Sequence, residues 1–266
     1  MLAPSGIVKQ TAKTALSGNW LKSIVAASAV IFSLLICIFI ADLIATISTD
    51  IVGIIIMVLL SFLLLFPLFL GALCFFRRIL WGQDDSTVLL FRFFSSIAEY
   101  RRAIHLSFLA MLRLVLNSLL LFSPCLIVRL FASNKLYSLI NVSMPVWAES
   151  LIYVSYFLGA LGALALFFVM LKIYLAPFLF VADEDMDVDE AINMSQIISK
   201  RTDSDFFWLC ISFLPLILLS VFVIPLVFTL PYFICSYLVH CRFAVAQYNR
   251  DVDRFNTDNS TTFKVG

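Results

Sequence analysis

Apolar residues run for the length of a membrane crossing at several places along the chain. From Ile24 to Ile47 the only charge is Asp42, and from Ile51 to Phe76 there is none. Leu106 to Phe131 is interrupted only by Arg113 and Arg129, and Leu151 to Val181 only by Lys172. A helix needs about 20 mainly apolar residues to cross the hydrocarbon core, so each run reads as a span. The fourth has 31 residues, and is expected to tilt, enter the interface or kink near Pro177. From Phe206 to Ala246 the 41 residues hold only His240 and Arg242 as ionisable groups, cysteine and tyrosine aside. That stretch suits two short helices, broken at Pro225 and Pro231 because proline cannot donate the helical hydrogen bond. The pattern predicts an all-α polytopic bundle, a single integral membrane domain over 1–266, with spans at about 24–47, 51–76, 106–131, 151–181, 206–224 and 228–246. Continuous apolar runs of this kind exclude a β-barrel, whose strands alternate over roughly ten residues.

Three segments between the spans carry a helical stripe instead of a continuous run. Residues 7–16 place Ile7, Val8, Thr11, Ala12 and Ala15 on one face, ahead of Gly18, Asn19 and Trp20. Residues 86–101 gather Leu90, Phe93, Phe94 and Ile97, and residues 188–200 gather Val188, Ala191, Ile192, Ser195 and Ile198. Asp187 and Glu190 stand at capping-box spacing before that last stripe. Each is expected as a short amphipathic helix lying in the cytoplasmic interface.

Composition sharpens the class. The chain is 62% hydrophobic and 13% charged, against about 45–50% and 25% in a soluble domain. A soluble globule, a disordered chain and a disulfide-stapled scaffold are excluded. The net charge of +1 gives no reason to expect nucleic-acid binding. Basic residues alternate by segment: Lys9, Lys13 and Lys22; Arg77, Arg78, Arg92, Arg101 and Arg102; Lys200 and Arg201; Arg242, Arg250, Arg254 and Lys264. The opposite links hold only Lys135 and, at a helix end, Arg129. With six spans, the positive-inside rule puts both termini in the cytoplasm. The first apolar run is too long and too far from the start for a signal peptide, so span one is expected to stay as an anchor.

Residues 183–205 hold eight of the 17 acids, among them Asp183, Glu184, Asp185, Asp187, Asp189 and Glu190. The spacing of Asp183, Asp185 and Asp187 begins like a calcium loop, but Val188 and Met194 stand where glycine and a bidentate glutamate are needed. The expectation is a solvated loop with helix caps, pairing loosely with the basic link at Arg77–Arg102 and open to a protein partner. The six cysteines all fall in spans without a CxxC pair and read as small hydrophobes. His105 and His240 lack ligand spacing, and no phosphate-binding or nucleophile motif is present. No catalytic, cofactor-binding or metal residue is therefore assigned, and the chain is expected not to be an enzyme. The candidate intramembrane polar site is Asp42, Arg113 and Lys172, since charge inside a span is expensive. Pairing of Asp42 with Arg129, and snorkelling of Arg113 and Lys172, are the ordinary alternatives.

Several local patterns resemble a known family. AKTALSGNW at 12–20 is similar to the "A…L.GNW" opening of a family of bacterial multi-pass proteins classed as domain of unknown function 975. YLAPFLFVADEDMDVDEAINMSQIISK at 174–200 resembles its acidic stretch leading into "EA…S", followed by SFLP at 212–215 and LPYF at 230–233. The resemblance runs over nearly the whole chain, with Ser195 matching a serine on the helix of the fourth-to-fifth link. It implies a bacterial cell-membrane protein without established chemistry, also similar to the membrane region attached to some glycerophosphodiester phosphodiesterases, whose catalytic domain has no counterpart here. The function expected is that of a non-enzymatic accessory or scaffold protein, in contact with the bilayer and with a partner at the cytoplasmic face. The alternative is a small transporter or lipid-handling protein, with Asp42, Arg113 and Lys172 lining a cavity.

Overall fold

The computed structural model describes residues 5–82, 86–132, 146–183, 185–220 and 223–262. Helix α1 covers Ser5–Leu16 and α2 covers Trp20–Ile47. Helix α3, Asp50–Leu60, runs through a π-helical turn, Ser61–Leu65, into α4, Phe66–Leu80. A 3-10 segment, Thr87–Phe94, precedes α5, Ile97–Phe131. Then come α6 (Val146–Met170), the short α7 (Ala176–Ala182), α8 (Val188–Leu219) and α9 (Val223–Thr262). Six helices are long and apolar enough to cross a membrane: Trp20–Ile47, Asp50–Leu80, Ile97–Phe131, Ser150–Met170, Val188–Leu219 and Pro225–Asp253. The fold is all-α and polytopic, as the apolar runs predict.

Contacts divide the chain into two units, one of Met1–Phe108 with Tyr174–Gly266 and one of Leu109–Ile173. In the first, α4 packs on the 3-10 segment, α1 on α9 and α4, and α7 on α8. Its core is built by Leu70, Leu73, Phe75 and Phe76 of α4, Leu90 and Phe93 of the 3-10 segment, and Leu238, Cys241 and Ala244 of α9. Gly71 lets α4 touch the 3-10 segment: a Cβ there would overlap the Leu90 carbonyl oxygen and lie 2.7 Å from its carbonyl carbon. The second unit holds the outer part of α5 with α6. There Gly162 approaches the Leu121 carbonyl, and the Cys125 Sγ donates to the Ser155 carbonyl at 3.1 Å. Small residues at such contacts let backbones approach where water supplies no driving force.

Several boundaries differ from the sequence expectation. The fourth span ends at Met170, and the chain turns through residues 171–175 before α7, so a break replaces the kink expected at Pro177. Pro177 instead lies in the first turn of α7, where its missing N–H costs nothing. The break between the last two spans comes after Leu219, ahead of Pro225, and Pro231 lies inside α9. Helix α8 begins at Val188, so the 188–200 stripe and the fifth span are one helix. Its stripe is buried within the protein, where a separate helix in the interface was expected, and Asp187 caps the helix without a side-chain bond, so no capping box forms.

The other two interfacial segments are corrected further. Helix α1 turns Val8, Ala12 and Leu16 inward and leaves Ile7 48% exposed, because it packs on α9 instead of lying on lipid alone. Residues 86–101 form no single helix: the 3-10 segment buries Leu90 and Phe93, and Ile97, opening α5, is 88% exposed.

Proline inside a span removes the N–H that would bond the carbonyl four residues earlier. Pro67 so frees the Leu63 carbonyl, which accepts the Tyr100 hydroxyl at 3.0 Å. Pro124 frees the Leu120 carbonyl, which accepts from Ser123 Oγ at 2.8 Å. Side chains thus re-satisfy both gaps, as hydrocarbon demands. Tyr100→Phe is expected to cost about 1 kcal/mol. Reversible unfolding in mixed micelles measures this, and an unchanged stability would remove the bond's significance.

Candidate functional site

The first unit brings two polar features together around α7. One is the acidic connection into α8. Val181, in the last turn of α7, is buried, and Arg77, in the last turn of α4, donates to its carbonyl. Arg102 of α5 donates to the Met186 carbonyl at 3.0 Å, stands 3.8 Å from Glu99 and lies over the Phe180 ring. Phe180 stacks on Phe93 with centroids 6.0 Å apart. Arginine from the basic link therefore holds the backbone of the connection, a contact with carbonyls that the charge pattern does not announce. The described carboxylates, Asp183, Asp185, Asp187, Asp189 and Glu190, are all exposed. Glu184 lies outside the described residues. What results is an acidic edge on a fixed backbone, anchored at its far end by buried Val188.

The second feature is a buried node where the turn before α7 meets α8 and α9. Tyr174 stacks its ring on Phe206 at 4.1 Å and 10°. Its hydroxyl bonds Thr202 Oγ1 at 2.9 Å and His240 Nε2 at 3.1 Å. Tyr237 donates to the Tyr174 carbonyl at 2.6 Å. Burial raises the Tyr174 phenol above its ordinary range. The Tyr174, Thr202 and Tyr237 hydroxyls and His240 Nε2 are turned on partners within the fold, and rings fill the space between, so the node fastens the fold. Sequence reasoning missed it. His240 was visible as an ionisable residue in a long apolar run, but its hydrogen-bond partner Tyr174 comes from 66 residues away, with no local spacing to betray it.

At the edge of α8, Lys9 donates to the Ser212 carbonyl at 2.7 Å and lies 4.3 Å from the Phe213 ring centre. Burial lowers its ammonium below the ordinary lysine range. Arg201 pairs with Asp251 at 2.9 Å, and Arg242 covers the Trp81 ring.

The residues singled out inside spans are divided. Asp42 is exposed and lines an open groove of about 320 Å³ with Ala41, Ala45, Asp50 and Gly53, near the α2–α3 turn. Arg113 and Lys172 belong to the second unit; Lys172 is exposed and the Arg113 carbonyl accepts from Asn117 at 2.7 Å. Arg129 lies over the Tyr156 ring at 5.1 Å, so its partner within that unit is an aromatic face. Ser195 is fully buried on α8. Among the described residues no three of His, Cys, Asp and Glu are grouped to hold a metal ion.

Fold and site together define a multi-pass helical membrane protein whose acidic edge is held by arginines. Comparison with family models, curated proteins and solved structures finds no match to the chain.

Proposed function

We propose that the protein is a non-enzymatic accessory or scaffold protein of the bacterial cell membrane, with both termini cytoplasmic, that offers the acidic edge at Asp183–Glu190 to a basic protein partner. The clamped backbone carries this reading. A loop serving only as a solvated link needs no arginine on the carbonyls at both of its ends, whereas a recognition edge gains from a fixed geometry that lowers the ordering cost of binding. Five exposed carboxylates on that fixed frame give the charge complementarity that steers a basic partner. The resemblance to the family classed as domain of unknown function 975 agrees with a membrane protein of this kind. The transporter reading needs Asp42, Arg113 and Lys172 on one polar cavity, and the groove that Asp42 lines is made by α2 and α3 alone.

The test is extraction into native lipid nanodiscs followed by mass spectrometry of what co-purifies. A stoichiometric protein is expected, and Asp185→Asn with Asp189→Asn and Glu190→Gln should lose most of it while the fold persists. An enriched small molecule without a protein partner, or a partner indifferent to these changes, would overturn the proposal.

A further inference from the structure

Where α5 enters its apolar stretch, Arg101, Arg102, Ile104, His105 and Phe108 line an open-sided pocket of about 470 Å³. Arg101, His105 and Phe108 are spaced i, i+4 and i+7, hence on one face of the helix. Arg101 and His105 are exposed, and Phe108 is 52% exposed one turn further along. The change from cationic to apolar lining takes place over about 10 Å of helix, given a rise of about 1.5 Å per residue. That is the depth over which a phospholipid passes from phosphate to acyl chain.

The pocket is held in place from several sides. Phe62 meets Phe108 edge-on with ring centroids 6.5 Å apart. The Tyr100 hydroxyl ties the start of α5 to the Leu63 carbonyl. Arg102 is fixed by Met186 and Phe180, and Glu99, the nearby acid, is turned to Arg102. Arg101 and His105 are exposed on the lining, and among the described residues that line it none is acidic. A basic recess beside membrane-spanning helices is a fitting seat for an anionic headgroup.

We propose that Arg101, Arg102 and His105 form a binding site for the phosphate of an anionic phospholipid, with Phe108 and Ile104 against the start of its acyl chains. Arg101 supplies planar paired donors suited to phosphate oxygens. His105 adds a ring N–H, and Arg102 a fixed positive field. The site is separate from the acidic edge and stands or falls without it.

The experiment measures the partition of fluorescent phosphatidylglycerol around the full-length protein in phosphatidylcholine nanodiscs, read by energy transfer from its tryptophans. The wild-type protein should concentrate the probe. Arg101→Gln should reduce that preference about fivefold, and Arg101→Gln with His105→Gln further still, at unchanged thermal stability. Lys13→Gln removes an equal charge from exposed α1 and should change nothing. Glycerol 3-phosphate at millimolar concentration should fail to compete, since it lacks the acyl chains that Phe108 meets. Equal losses for Lys13→Gln and Arg101→Gln would reduce the effect to general surface charge and overturn the site. So would an unaltered preference in the double variant. Full competition by glycerol 3-phosphate would make it a soluble-phosphate site and overturn its assignment to lipid.

Discussion

Gly71→Ala is expected to disrupt the centre of the first unit, at a cost of about 3 kcal/mol. The added methyl carbon would be placed onto the Leu90 carbonyl oxygen, 2.7 Å from the carbonyl carbon and 3.1 Å from the Leu89 oxygen. These are backbone atoms of the 3-10 segment, so no rotamer change relieves the overlap. Either α4 or the segment must shift, and both are lined by buried Leu70, Leu73, Leu90 and Phe93. Close-packed interiors respond to such insertions with strain instead of local accommodation. Thermal unfolding in detergent, with the alkylation rate of buried Cys74 as a local probe, measures the effect. Gly6→Ala is the matched control, because nothing lies within 4 Å of a Cβ there. A Gly71→Ala protein as stable as the control would refute the packing of α4 on the 3-10 segment.

Tyr174→Phe should be the next most damaging small change, at about 2 kcal/mol. The ring stack on Phe206 survives the substitution and only the hydroxyl is lost. That hydroxyl is the partner of His240 Nε2, whose side chain is buried, and of Thr202 Oγ1. Thr202 keeps its bond to the Ile198 carbonyl at 3.2 Å, so the penalty falls mainly on the histidine. A pH signature separates this from simple loss of volume. Burial raises the phenol in the folded protein, so the unfolded chain releases its proton first. Stability from this group is complete below about pH 10, the ordinary phenol range, and falls as the pH rises beyond it. Tyr174→Phe should flatten that part of the alkaline decline, seen in unfolding midpoints measured between pH 9 and about 11. An unchanged decline would show that Tyr174 is not the group responsible.

The spans were legible because hydrocarbon imposes one requirement, length of apolar run, which a single sequence displays directly. The stripe at Val188, Ala191, Ile192, Ser195 and Ile198 was legible for a related reason: helical period and burial coincide. The ends of the helices were less so. Pro225 and Pro231 are the strongest breakers in the last apolar stretch, but a proline in a first turn breaks nothing. Pro231 is carried through by packing of Ile234, Cys235 and Leu238 on its C-terminal side. The inward face of α1 is rotated from the one its periodicity gives: Val8 and Ala12 belong to both, but Leu16 is buried in place of Ile7 and Thr11, and which side meets α9 is not revealed within α1. The same holds for the site residues. The acidic run was visible as charge, but Arg77 and Arg102 act on carbonyls, and a carbonyl leaves no mark in the sequence. Asp42, Arg113 and Lys172 stand out in the sequence by charge alone, and charge does not say which helices are neighbours.

The tie between Lys9 and the Ser212 carbonyl joins residues 203 positions apart. A chain made at about 5–20 residues per second therefore carries α1 for about 10–40 s before its partner exists. During that interval Val8, Ala12 and Leu16 lack α9 and have α4 to pack on, and Lys9 has no carbonyl to meet. Completion of the last two spans is thus also the moment at which the first helix is secured. A chain truncated after α6 would hold that helix against α4 without α9, so its N-terminal end is expected to be cut faster by proteases than in the full chain.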